Sequence, residues 1–179
     1  MKMKSFLAMA LIISAFSVMA VETPAPALVI PQAVLDLHTK MCPEYKTADG
    51  EYLQKVAFKL PGTEYAAEGS TLYILGCEMY AYNSLEKAYI VNSYETKTVS
   101  IAEVLTDGSI VATNDLMGSG FDPSNNTLGT FQKGRGMGDC GSSATYIYNA
   151  YETRFVLIEA RVKENCDGEV TEWPVVYKK

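Results

Sequence analysis

The chain has 179 residues, with 15 basic and 21 acidic side chains, one histidine and a formal net charge of −6. That acidic balance argues against a role on nucleic acid or an anionic membrane, both of which need clustered lysine and arginine. It permits attraction to a basic partner without requiring one.

Met1-Lys2-Met3-Lys4 places two positive charges ahead of a short apolar run, Ser5 to Phe16, and Val18-Met19-Ala20 follows with a small final residue. This is the layout of a secretory signal peptide cleaved after Ala20. The apolar run is shorter than the roughly 20 residues a transmembrane helix needs, so no membrane span is expected once it is removed. Without Lys2 and Lys4 the mature chain carries 13 basic and 21 acidic residues, a net of −8. Residues 21–30, "VETPAPALVI", read as an extended leader, and residues 31–179 as a single domain large enough for a sizeable core.

From Pro31 the pattern becomes helical. Proline suits a helix start, and Val34, Leu37, His38 and Met41 fall on one face, so a short helix from Pro31 to about Met41 is predicted. Thereafter the chain reads as strands. Val56, Phe58 and Leu60 alternate with lysines, then Pro61-Gly62 intervenes. Thr71–Tyr80 and Lys87–Tyr94 are apolar and aromatic, with a turn at Asn83-Ser84. "TVSIAEVL" and "SIVAT" flank Asp107-Gly108, a hairpin signal, and Asp122 to Asn126 form another turn. A hairpin of Ala144–Tyr148 against Phe155–Val162 follows, then "EWPVVYKK". The expectation is a mainly β protein: an antiparallel, meander-type β domain with one short N-terminal helix.

Cys42, Cys77, Cys140 and Cys166 form an even set in a chain read as exported, which points to disulfides. Sequence alone allows three pairings. Pairing of sequence neighbours, Cys42–Cys77 and Cys140–Cys166, is expected, because the hairpin between Cys140 and Cys166 returns both to one end of a sheet. The cysteines are dispersed, without a C-x-x-C, so no metal is expected.

Gly136-Met137-Gly138-Asp139-Cys140-Gly141 spells the dinucleotide-binding pattern G-x-G-x-x-G. That loop works only between a strand and a helix, where phosphate meets the helix N-terminus. Here the following residues, "SSATYIYNAYETRF", read as strand, so no nucleotide or other cofactor is expected, and the glycines read as a tight corner.

The stretch containing Phe121-Asp122-Pro123, Thr127-Leu128, Lys133 to Gly141, Arg154-Phe155, Glu159-Ala160-Arg161, Cys166-Asp167-Gly168 and Trp173-Pro174 resembles the C-terminal signature of a bacterial exported family known as domain of unknown function 1176. The resemblance is strongest over residues 121–177 and covers the central strands from Leu72 only in character. Tyr148-Asn149-Ala150 stands where the family pattern has W-D-G. The resemblance implies a Gram-negative periplasmic protein and no established reaction.

Among residues that could carry chemistry, His38 lies on the apolar helix face, where a packed histidine is the commoner case. Glu159 and Asp167 could be imagined as a glycosidase pair, but nothing in the sequence fixes their separation. Arg135 and Asp139 sit in the glycine corner, where they either present to a partner or bond the corner's own backbone; the latter is the bland expectation. Trp173 before Pro174 is expected to pack on the sheet, with carbohydrate stacking as its functional alternative. Arg135, Asp139 and Trp173 are therefore the candidate binding residues, and no catalytic residue is assigned. The favoured function is a non-enzymatic periplasmic binding or interaction module, its partner a basic protein or an envelope component. By analogy of architecture alone it resembles inhibitors of lysozyme. The alternatives are a carboxylate-dependent envelope hydrolase and a structural envelope-maintenance protein.

Overall fold

A computed structural model describes residues 28–43, 54–105 and 107–179. The expected signal peptide and most of the leader lie outside the described residues. Among the described residues one helix, α1 (Gln32–Met41), precedes twelve strands. The first seven are β1 (Lys55–Leu60), β2 (Ser70–Met79), β3 (Ser84–Val91), β4 (Thr96–Thr98), β5 (Ile101–Val104), β6 (Ile110–Thr113) and β7 (Leu116–Met117). The others are β8 (Gly120–Asp122), β9 (Thr127–Lys133), β10 (Gly141–Asn149), β11 (Arg154–Lys163) and β12 (Val175–Lys178).

The strands form two five-stranded sheets and a hairpin. Sheet one runs β1-β2-β3-β4, with β7 also on β3; sheet two runs β12-β11-β10-β9-β8; β5 pairs β6. Every pairing is antiparallel. The mainly β, antiparallel reading with one short helix is thus correct.

Side-chain alternation explains the layering, because successive residues of a strand face opposite sides. In sheet one, Leu72 opposite Ile90 and Ile74 opposite Ala88 face sheet two. There they join Phe121, Leu128, Tyr146, Tyr148, Phe155 and Leu157, and the β5–β6 hairpin adds Ile101 and Val104. The alternate residues, Tyr73, Leu75, Tyr89 and Val91, face the other way and meet Val34, Leu37 and Met41 of α1. Both faces of sheet one are therefore covered, one by sheet two and one by the helix, as in a sandwich with an added layer.

The helix begins where its sequence predicts. The Pro31 carbonyl accepts the Val34 and Leu35 N–H groups, and proline lacks the N–H that a helix start would leave without a partner. At its other end Cys42 bonds Cys77 of β2, with Cα atoms 5.5 Å apart. Two strand boundaries differ from expectation. "TVSIAEVL" divides: Val99 still donates to the Ala88 carbonyl at the edge of sheet one, and the chain then leaves at Ser100 to begin β5. Val99 and Ile101 are both core residues, so hydrophobicity alone runs unbroken through the exit. The run read as Lys87–Tyr94 instead spans Ser84 to Val91, because Asn92 already caps a turn.

His38 is a packed residue. Its Nε2 lies 2.9 Å from the Gly76 carbonyl, which can only accept, so Nε2 carries the proton and Nδ1 accepts from the Tyr89 hydroxyl at 2.8 Å. Burial, reinforced by the nearby Lys87 charge, holds its pKa below the ordinary histidine value. Elsewhere, Glu86 is buried on β3, where its Oε2 accepts the Ser119 N–H at 3.0 Å, and burial pushes its carboxyl up. Among the described residues no helix is long and apolar enough to cross a membrane.

A depressed histidine pKa means that the folded state binds fewer protons than the unfolded chain, so stability must fall as pH drops below the ordinary value of about 6.5. Urea titrations between pH 7.5 and 5 should show this loss in the parent protein and a smaller loss in His38→Gln. An equal slope in both would contradict the assignment.

Candidate functional site

The sandwich has two ends, and the sequence candidates gather at one of them. Strands β9 and β10 meet through the corner Gly134 to Cys140, within which Gly134 donates to the Cys140 carbonyl and Gly138 to the Arg135 carbonyl. The chain leaves this corner directly into β10, opposite β9, with Gly141 paired to Lys133. Strand, corner, strand offers no helix N-terminus, so the glycines do not form a dinucleotide loop.

Cys140 bonds Cys166, their Cα atoms 4.9 Å apart. Beside them Asp139 is fully buried and receives Nε of Arg135 at 2.8 Å and a second guanidinium nitrogen. The same Arg135 donates to the Cys166 carbonyl at 3.0 Å, and the Gly168 N–H donates to Asp139 at 2.7 Å. One disulfide, the Arg135 bond to the Cys166 carbonyl and the Gly168 bond to Asp139 therefore join the corner to residues 166–168, while the Arg135–Asp139 ion pair, two donors on a single carboxylate, holds the corner to itself. The guanidinium, with help from Gly168, holds the Asp139 carboxyl far below the ordinary range against the opposing effect of burial.

The neighbouring turn is tied in as well. Asn83 donates to the Lys133 carbonyl at 2.9 Å and accepts its N–H at 2.8 Å, and the Tyr82 ring lies where a side chain on Gly136 would sit. Gly141 has φ +141°, and a Cβ there would stand 2.0 Å from the Gln132 carbonyl oxygen and 3.0 Å from the Trp173 ring. Only glycine allows that ring onto the sheet. Trp173 is 7% exposed and stacks on Phe131, with centroids 4.9 Å apart and planes 5° from parallel. Arg161 donates to its carbonyl at 3.3 Å.

The three candidate binding residues thus occupy internal positions. Asp139 and Trp173 are covered, and Arg135, though its side chain is 43% exposed, directs its hydrogen bonds inward. The carboxylate pair fares similarly. Glu159 is held by Arg161 and Lys178, and Asp167 by Lys163 and the Glu169 N–H. These partners pull both carboxyls down, the opposite of what a general acid requires. Among the described residues no three or more His, Cys, Asp and Glu gather to hold a metal.

The opposite end is built differently. The β1–β2, β3–β4 and β10–β11 turns converge there, each with a side-chain oxygen that caps it. Thr63 accepts the Tyr65 and Ala66 N–H groups at 3.3 and 3.2 Å. Asn92 accepts those of Tyr94 and Glu95, both at 2.8 Å, and Asn149 accepts those of Tyr151 and Glu152 at 3.0 and 3.2 Å. Each capped turn presents the tyrosine two residues on, and Tyr65, Tyr94 and Tyr151 are 84%, 88% and 73% exposed. The turns surround a cleft of about 420 Å³ whose lining includes Tyr65, Tyr94, Glu68, Asn92, Ala150 and the buried Tyr148. Tyrosine, serine and asparagine on fixed loops suit a contact surface: the rings give large area at low entropic cost, and the small polar groups give adaptable hydrogen bonds.

None of these tyrosines is picked out by sequence reasoning, although the signal is present. Asn92-Ser93-Tyr94-Glu95 and Asn149-Ala150-Tyr151-Glu152 share the form N-x-Y-E. What brings them together with Thr63 and Tyr65 is strand topology, which the short motif does not reveal.

Two substitutions test the corner as scaffold. Gly141→Ala should destabilise the fold by about 3 kcal/mol or more, the range of overpacked and strained sites, measured by urea titration. A change under about 1 kcal/mol would contradict the packing described. Asp139 with a depressed pKa contributes stability that is full above the ordinary aspartate value of about 3.9 and is lost as pH falls below it. Asp139→Asn should therefore lower the thermal midpoint at pH 7 and flatten the acid limb of stability; an unchanged limb would show that the pair contributes nothing.

Comparison with known proteins supplies a family and no reaction. No solved structure matches the chain. The uncharacterised protein YpfG of Escherichia coli (strain K12) is 28% identical over 115 residues, which is 62% of this chain and 33% of that protein. The chain thus matches about a third of the length of this curated relative. A family profile described as "Protein of unknown function (DUF1176)" matches residues 17–179, nearly the whole chain, and the protein belongs to that family.

Proposed function

We propose that this chain is an exported, non-enzymatic binding module whose tyrosine end is its recognition surface. One observation carries the reading: three separate turns, each capped by its own side chain and each presenting a highly exposed tyrosine, surround a single cleft, lined by Tyr65 and Tyr94 from two of them and by Ala150 and Thr153 from the third. Exposed aromatic rings gathered on one surface mark interaction sites, and a turn already held in shape loses little freedom when it meets a partner. The two disulfides and the charged, then apolar, N-terminal sequence support export to an oxidising compartment such as the periplasm. The glycine corner, first in line from sequence, serves this reading as the anchor of the far end.

The surplus of acid favours a basic partner over an acidic one. The rival reading, a carboxylate hydrolase, has less to stand on, because Glu159 and Asp167 are each held in ion pairs of their own.

The test is a photo-crosslinking amino acid placed in intact cells at position 65, 94 or 151, with position 176 on β12 as control. The same partner should be captured from all three tyrosine positions and not from the control. Replacing Tyr65, Tyr94 and Tyr151 together by alanine should weaken that association at least about tenfold while changing stability by under about 0.5 kcal/mol per site. Capture from the control alone, or no loss on removing the tyrosines, would overturn the reading.

A further inference from the structure

We infer that the cleft among the three turns is a seat for a cationic side chain, arginine or lysine, projecting from a basic protein partner. The inference rests on the binding reading above and adds the chemistry of what enters. Four features of the site point to a cation. Its lining contains a carboxylate, Glu68, and no lysine or arginine. Glu68 is exposed, and no ion pair occupies it among the described residues. Tyr65 and Tyr94 line the same cleft, and the electron-rich face of a phenol ring attracts a cation that approaches it. Ser70 and Ser93 add hydroxyl oxygens that can accept hydrogen bonds from a guanidinium or ammonium group.

The surrounding charges agree in sign. Glu64, Glu95 and Glu152 lie on the same three turns, and the cations near them, Lys97 and Arg154, are already paired with Glu95 and Glu152. With those two pairs balanced, an incoming cation meets Glu64, which no ion pair occupies among the described residues, at the approach and an aromatic pocket with one carboxylate at the end of it. Arginine fits best, because a planar guanidinium can stack on a tyrosine while its edge bonds a carboxylate. A neutral sugar would use the rings but leave Glu68 without a charged partner, so the protein partner is the occupant the site favours.

A chain of net charge −8 attracts any polycation, so the experiment separates the cleft from the general field. A hexa-arginine peptide is titrated into the full mature protein at about 0.15 M salt, where exposed charges are screened beyond roughly 8 Å. Binding is followed by amide NMR, with a neutral chitin tetramer as the second probe. Hexa-arginine should shift the amides of residues 63–70 and 92–95, and Glu68→Gln should weaken it roughly fivefold to tenfold, as should Tyr94→Ala. Glu164→Gln, which removes the same charge at the opposite end, should leave the affinity unchanged. Equal weakening by Glu68→Gln and Glu164→Gln would overturn the inference, since the peptide would then be reading net charge. Occupation of the cleft by the chitin tetramer but not by hexa-arginine would also overturn it, and would leave the tyrosine end standing as a binding surface. If crosslinking from positions 65, 94 and 151 captures nothing while hexa-arginine still seats on Glu68, the cation seat survives and the wider reading falls.

Discussion

The bond between Cys140 and Cys166 fixes where the C-terminal segment crosses back over sheet two, and the other contacts at that end depend on it. A disulfide closing a loop of this size stabilises by about 3 kcal/mol in the chain-entropy account. Its second effect is geometric. With the two cysteines joined, the Cys166 carbonyl and the Gly168 N–H stand within reach of Arg135 and Asp139, so a buried carboxylate finds its partners. A buried charge lacking such partners would be strongly destabilising. Trp173 then comes down over Gly141 and Phe131, and the sheet face beneath it is covered.

This arrangement separates stability from presentation. At the corner end, polar and aromatic groups face one another: Asn83 with Lys133, Arg135 with Asp139, Trp173 with Phe131. At the other end the same kinds of residue are held from behind. Thr63, Asn92 and Asn149 use their oxygens to shape the backbone, and the tyrosines that follow are left in solvent. A β-sandwich suits such a division, because its strands carry loops to two distant ends while one core holds both.

Much of the fold is legible in the sequence because its signals are local. The helix follows from Pro31 and the stripe through Val34, His38 and Met41; the β10–β11 hairpin follows from alternating aromatic residues around Asn149. The glycine corner is read as scaffold from what comes next, since a strand, not a helix, follows Gly141. Two things escape. Val99 and Ile101 belong to one buried core although the chain changes sheets between them, so periodicity shows no break. The tyrosine end escapes for a related reason. Each of its turns is visible as a turn, but residues 63–66, 92–95 and 149–152 become neighbours only through the pairing of β2 with β3 and the packing of sheet two on sheet one. For Arg135 and Asp139 the glycine-rich loop leaves presentation to a partner and self-pairing both open; in the structure they pair with each other, Asp139 buried and Arg135 partly exposed.

The most direct measurement is native-state hydrogen exchange on the parent protein and on Cys140→Ser/Cys166→Ser. The account predicts that amides of residues 133–141 and 166–168 lose protection first in the variant, while those of the capped turns at 65–66, 94–95 and 151–152 keep the parent's rates. Unchanged protection at the corner, or loss that begins at the tyrosine turns, would contradict a structure anchored at one end and presenting at the other.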